Sequence, residues 1–203
     1  MAPYRAIMID SDLTVVFQGP YSWHGSDNTV DISKADVGRK CGIYLWTLEY
    51  DEGELIYYVG ETGRTFSVRM FEHFKEHMSG GYHLHDPSEM IQGRKRELWP
   101  GRYGRGQQVT VAEFLAKFKD LRESIERLAR LYRFFLAPMQ VDTRVRQRIE
   151  AGLANHLYKQ VGIVGEFQDS GIRYRPRQEA EPLVRVAFQS QLKLVGLPDT
   201  LEV

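Results

Sequence analysis

The chain carries a single cysteine, Cys41, among its 203 residues. One thiol excludes an internal disulfide and any cysteine cage for a metal, which suits a reducing compartment and leaves Cys41 as a buried structural thiol. No run of about 18 apolar residues occurs, and the opening MAPYRAIMIDSDL meets an aspartate too soon for the apolar region of a secretory signal. A soluble, cytoplasmic protein is expected. Charge of one sign is also missing. The 27 Lys and Arg stand against 27 Asp and Glu, so the summed charge gives no long-range attraction to a polyanion, and a nucleic-acid partner would have to be held by a local patch. What is present is 42% hydrophobic content, enough at this length for one compact domain with decorated ends.

Residues 1–40 show a short β-like run, Leu13 to Phe17, and the turn formers of QGPYSWHGSDN, and read as an irregular extension. GIYLWTLEY and ELIYYVG, joined by Asp51-Glu52-Gly53, predict an antiparallel hairpin. Thr65 or Ser67 can cap the following helix, in which Val68, Phe71 and Phe74 form an apolar stripe toward a sheet while Arg69, His73 and His77 line another face. Met78 to Gln108 reads as a long irregular excursion. The TVAE capping box predicts a helix over 110–128, with Phe114, Leu115, Phe118, Leu121, Ile125 and Leu128 at helical spacing, and a strand over 130–136. A last helix runs from Asp142 or Thr143 to about Gln160, burying Val145, Ile149, Leu153 and Leu157 beside Glu150. LVRVAF suggests one strand in the C-terminal extension, 161–203.

Gly42-Ile43-Tyr44, then Tyr58-Val59-Gly60, then Arg69 and His73 on a helix and Glu150 on a later one, together resemble the GIY-YIG nucleases over residues 41–160. That resemblance implies an α/β (α+β) core with a small three-stranded antiparallel sheet flanked by helices. It also implies a metal-dependent endonuclease with site residues Tyr44, Tyr58, Arg69, His73 and Glu150. Phosphodiester hydrolysis needs a proton acceptor for water, cations on the phosphoryl oxygens and support for the departing oxyanion. Tyr44 could act as base if nearby positive charge favours its phenolate. Arg69 can grip two phosphate oxygens at once, His73 can share proton transfer, and Glu150 is placed like the family's ligand for one Mg²⁺ (or Mn²⁺). Each residue type also has an ordinary reading: core or rim tyrosines, a solvated Arg69 and His73 face, and a Glu150 paired with Arg146 or Arg148. His77, His83 and His85 lack the cysteine pair of a zinc site.

Two positions depart from the family. Glu61 stands where many members carry a lysine, and no asparagine follows Glu150 at the usual interval. Asn155 comes too early on the helix, which leaves Gln168 as a stand-in. For substrate, the loop from Gly93 to Gly106 interleaves Arg94, Lys95, Arg96, Arg102 and Arg105 with Trp99 and Tyr103. Cations on phosphates and rings on bases suit nucleic acid, with DNA expected ahead of RNA from the family resemblance and not from the loop; a solvated loop with a buried Trp99 is the plain alternative. Two functions follow: an endonuclease, or a nucleic-acid-binding or protein-interaction module on the same fold with hydrolysis lost.

Overall fold

The computed structural model describes residues 9–25, 28–51, 53–103, 109–169 and 172–203. Strands β1 (Ile9–Ser22) and β2 (Val30–Asp31) precede the hairpin of β3 (Gly42–Tyr50) and β4 (Gly53–Thr62). Helix α1 (Phe66–Met78) follows, then β5 (Leu84–His85), the single turn α2 (Pro87–Met90) and β6 (Glu97–Trp99). Next come α3 (Val111–Leu131), β7 (Arg133–Pro138), α4 (Thr143–Tyr158) and α5 (Ile163–Phe167), with β8 (Leu183–Ser190), β9 (Leu194–Val195) and β10 (Thr200–Glu202) last. None of the described helices is long and apolar enough to cross a membrane.

The expected small three-stranded sheet is replaced by a larger one. β4, β3 and β7 do form an antiparallel trio, but they belong to an eight-stranded mixed sheet in the order β10-β8-β1-β7-β3-β4-β9, with β2 beside β1. The stretch read as an irregular extension contains β1, a 14-residue strand paired antiparallel to β7 and parallel to β8. Gly19 and Pro20 hid it. They fall where the β1 register shifts, between Gln18 and Tyr21, and an irregularity of this kind is where a strand tolerates proline. β8 contains the LVRVAF run but pairs with β1 across the whole chain, a partner with no local signal.

Each face of the sheet has its own core. Tyr44, Trp46, Leu48, Phe134 and Leu136 alternate toward α1 and α3, where they meet Phe66, Met70, Leu121, Ile125 and Leu128. Ile43, Leu45, Phe135 and Ala137 point the other way, onto Ile149, Leu153 and Leu157 of α4. The two long helices are capped as their sequences require. Thr110 and Glu113 close the reciprocal capping box of α3, and Asp142 caps α4 by accepting from the Arg144 amide.

Helix α1 turns a different face to the sheet from the one its apolar spacing predicts. Val68 and Phe71 remain 48% and 58% exposed, whereas Phe66, Met70, His73 and His77 are buried. Phe66, Met70, His73 and His77 also recur at helical spacing; His73 is buried with polar partners, while His77 is received by aromatic rings, its Nδ1 without a hydrogen-bond partner among the described residues. His73 is hydrogen-bonded at both ring nitrogens, and His77 stacks on Trp46 with ring centroids 5.4 Å apart. The excursion after α1 is built around β5 and β6, which pair with each other. Cys41, read as a buried thiol, is half-exposed, with its Sγ 3.8 Å from the Met139 carbonyl oxygen.

Candidate functional site

A bulge in β4 creates the site. Trp46 pairs with Tyr58 and Thr47 with Ile56, so Tyr57 is an extra residue opposite the continuous β3. Strict alternation would send Tyr57 and Tyr58 to opposite faces; the inserted residue turns both toward α1 and α3. Tyr58 thereby joins Tyr44, with ring centroids 5.9 Å apart. Gly60, directly across from Tyr44, makes room for the phenol: a Cβ there would lie 2.3 Å from Tyr44 Cζ and 2.4 Å from its hydroxyl oxygen. Gly60→Ala is therefore expected to displace the Tyr44 ring and cost about 1–3 kcal/mol by overpacking. Urea denaturation checks this, and an unchanged midpoint would mean that the ring has slack the packing denies.

Tyr44 is the hub, fully buried at 0% exposure. Arg69 Nε donates to its hydroxyl oxygen over 3.2 Å, His73 Nε2 lies 2.8 Å from the same oxygen, and His73 Nδ1 lies 3.0 Å from the Tyr82 hydroxyl. Burial, followed by the Arg69 charge, holds His73 well below the usual imidazole range, so the ring is neutral and can donate at only one nitrogen. Burial raises the Tyr44 phenol; Arg69 opposes that through its charge and hydrogen bond without reversing it. The nearby positive charge that the sequence requires for a Tyr44 phenolate is present in Arg69, but desolvation outweighs it. Tyr58 is half-buried, and its phenol is raised well above the ordinary value, by burial first and then by Tyr44. Tyr82, with its phenol raised to about 12 chiefly by burial, joins the site unannounced, because it lies in the excursion and no helical or strand period marks it.

Glu150 reaches the same place from the opposite helix layer. Along β4, β9 covers only Glu54 and Leu55, while Gln168 Nε2 and the Asp169 amide donate to the Ile56 and Tyr57 carbonyls. Beyond Tyr58 no described strand covers that edge, and the Glu61 amide donates to Glu150 Oε1 at 3.0 Å. Burial raises Glu150 to about 7; the Glu61 amide and Arg69 pull it down and the Glu61 charge pushes it up. Glu150 thus pairs with neither Arg146 nor Arg148. Arg146 instead donates from Nε to Glu61 Oε2 at 3.2 Å, so Glu61 has its own buried cation. Arg148 bonds the carbonyls of Pro182 and Val203. Gln168 is 4% exposed, and its amide nitrogen is spent on the backbone of Ile56 and Val164.

The basic loop is differently employed. Trp99 is 1% exposed, its indole donates to the Gly80 carbonyl and its ring packs on Phe114, so it offers no face to a base. Arg94 is paired with Glu89 and Arg96 with Asp86, and Lys95 donates to the Gln168 carbonyl at 2.7 Å. Arg102 lies over the Tyr103 ring, which is 64% exposed. Arg105 lies outside the described residues. His83 binds Asp169 at 3.0 Å, and its ring centroid stands 4.8 Å from that of His85. Among the described residues no three His, Cys, Asp or Glu side chains gather as a metal cage.

A lone carboxylate can still hold a hard divalent ion that keeps most of its waters. Glu150 suits that role: among the described residues its carboxylate accepts only the Glu61 amide, and two phenols and a guanidinium share its field. The arrangement combines a cation for phosphoryl oxygens, a carboxylate for a hydrated metal and phenols for proton transfer. Comparison of the chain with protein families, curated proteins and solved structures finds no match in any of the three.

Proposed function

We propose that this site hydrolyses phosphodiester bonds of nucleic acid, DNA ahead of RNA, as an endonuclease of the GIY-YIG kind using Mg²⁺ or Mn²⁺. The observation that carries the reading is convergence: Arg69 of α1 bonds Tyr44 of the phenol pair, and Glu150 of α4, from the opposite layer, accepts the Glu61 amide at the edge of β4 and shares the electrostatic field of Arg69 and both phenols.

Exposure divides the labour between the tyrosines. Tyr44, without solvent contact, orients Arg69 and His73; Tyr58, half-buried, is the phenol that a substrate water can reach. Tyr58 as its phenolate accepts a proton from the attacking water as the new P–O bond forms, and Arg69 holds the phosphoryl oxygens while the bond to the departing sugar oxygen breaks. Glu150 would hold a hydrated divalent ion, which would supply positive charge to favour the Tyr58 phenolate and the departing oxygen. The second reading, a binding module without hydrolysis, is favoured by the raised phenols and by Glu61 in the place of a cation.

Plasmid incubated with and without Mg²⁺ or Mn²⁺, beside Arg69→Ala and Tyr58→Phe, separates the two. Metal-dependent nicking or linearisation that falls about 10²–10³-fold or more in each variant supports the enzyme. Binding without cutting under every ion supports the module.

A further inference from the structure

Among the described residues, the cations of the sequence-predicted loop are largely engaged within the protein, and free ones lie elsewhere. The segment Ile172 to Arg177, IRYRPR, alternates in exposure: Tyr174 is turned inward, while Arg173 and Arg175 are exposed. Neither of those guanidinium groups has an ion pair or hydrogen bond among the described residues, in contrast to Arg94 and Arg96.

Two anchors on α4 hold this segment. Arg144 donates from Nη1 to the Arg175 carbonyl and from Nη2 to the Pro176 carbonyl, each at 2.8 Å, and the Tyr174 ring lies 6.3 Å from that of Tyr158. Glu150 lies between the anchors on the same helix, roughly 9 Å from Arg144 and 12 Å from Tyr158 along the axis at 1.5 Å per residue. The segment therefore crosses α4 at the level of Glu150. The electrostatics agree: burial chiefly raises the phenols of Tyr174 and Tyr58, and Glu150 adds to the first and Tyr174 to the second.

We propose that Arg173 and Arg175 form a binding site for the phosphodiester backbone of nucleic acid, holding the phosphates next to the one presented to Tyr58, Arg69 and Glu150. This rests on the nuclease reading for the orientation of the strand, but its binding chemistry stands alone. Two residues apart, Arg173 and Arg175 have Cα atoms at most about 7 Å from one another, so their long side chains can reach successive phosphates of one strand. Arginine grips such oxygens in pairs, and neither side chain must first break an internal ion pair.

The test is association of a fluorescein-labelled 20-mer, single-stranded and duplex, with the full chain in EDTA, titrated across 50–300 mM NaCl. Arg173→Ala/Arg175→Ala is expected to weaken binding at least about 10-fold at low salt and to flatten the slope of log K against log salt by about 1.4–1.8, the share of two phosphate contacts. Lys117→Ala/Lys119→Ala, on the exposed face of α3, controls for a general loss of charge. An unchanged slope in the Arg173→Ala/Arg175→Ala variant, an equal loss in the α3 control, a loss confined to Arg94→Ala/Arg96→Ala, or no binding by the wild type overturns the inference. Cleavage by the wild type with an unaltered slope in the Arg173→Ala/Arg175→Ala variant would sink this proposal and leave the nuclease reading standing. The expected effect of that variant without cleavage in Mg²⁺ would do the reverse.

Discussion

Glu150→Gln is expected to abolish metal-dependent cleavage and at the same time stabilise the metal-free protein at pH 8. The two effects have one cause. Burial and the Glu61 charge lift the carboxyl to about 7 against an ordinary value of 4.5, so the folded protein keeps a proton that the unfolded chain gives up between those values. Stability contributed by the protonated form is present below about 4.5, declines as pH rises through the window and is lost above about 7. The shift corresponds to roughly 3 kcal/mol before screening, and a half-exposed group retains about 1–2 kcal/mol of it. Glutamine never ionises and avoids that cost, so the melting temperature in EDTA should rise by roughly 3–6 °C at pH 8 and change little at pH 4. Cleavage should fall about 10²–10³-fold or more, since a neutral amide holds a divalent ion poorly. Mg²⁺ should stabilise the wild type at pH 8 by mass action and leave the variant unmoved. A variant that is no more stable at pH 8, or that still cleaves with metal, contradicts this account of Glu150.

The parts of the fold that could be read from the sequence are those whose causes are local. The hairpin, the capping box at Thr110 and the Asp142 cap each lie within a few residues of the structure they dictate. Even the hairpin turn obeys a local rule: Asp51 takes a φ of 48°, which aspartate tolerates better than most. What could not be read depends on distant partners. The β1 pairing with β8 joins residues more than 160 apart, and no periodicity carries such information. Helix α1 presents two competing stripes, and only the positions of Tyr44, Tyr82 and Trp46 decide that the histidines go inward. Counting arginines in the 93–106 loop could not reveal that Glu89 and Asp86 neutralise two of them. Tyr44, Arg69, His73 and Glu150 can be singled out from the sequence because they stand in a recognisable order, whereas the inward turn of Tyr58 depends on a bulge. Tyr82 and Tyr174 enter through segments that have neither order nor period.

Arg133→Ala should cost about 3–5 kcal/mol, one of the largest losses any single substitution here can produce. Arg133 on β7 pairs across β3 at Thr47 and reaches Glu54 on β4, with Nη1 2.6 Å from Oε1. Glu54 is 3% exposed and accepts its other bond from the Thr47 hydroxyl at 2.8 Å. Removing the guanidinium leaves a carboxylate in the core without its cation. The Glu49 contact matters little, because that side chain is 71% exposed. The pair ties together the three strands that support the phenols, but Thr47 lies about 10 Å along β3 from Tyr44 at strand rise, so the loss should fall on stability alone. Denaturant titration of Arg133→Ala and of Glu54→Gln/Arg133→Met tests this: the double variant, with no charge left to neutralise, should recover most of the lost free energy. Cleavage per folded molecule, assayed at low temperature, should match the wild type in both. A cost below about 1 kcal/mol for the single variant would mean that water reaches Glu54, and a recovery in stability without a recovery in cleavage would mean that the charge pair also sets the geometry of the tyrosines.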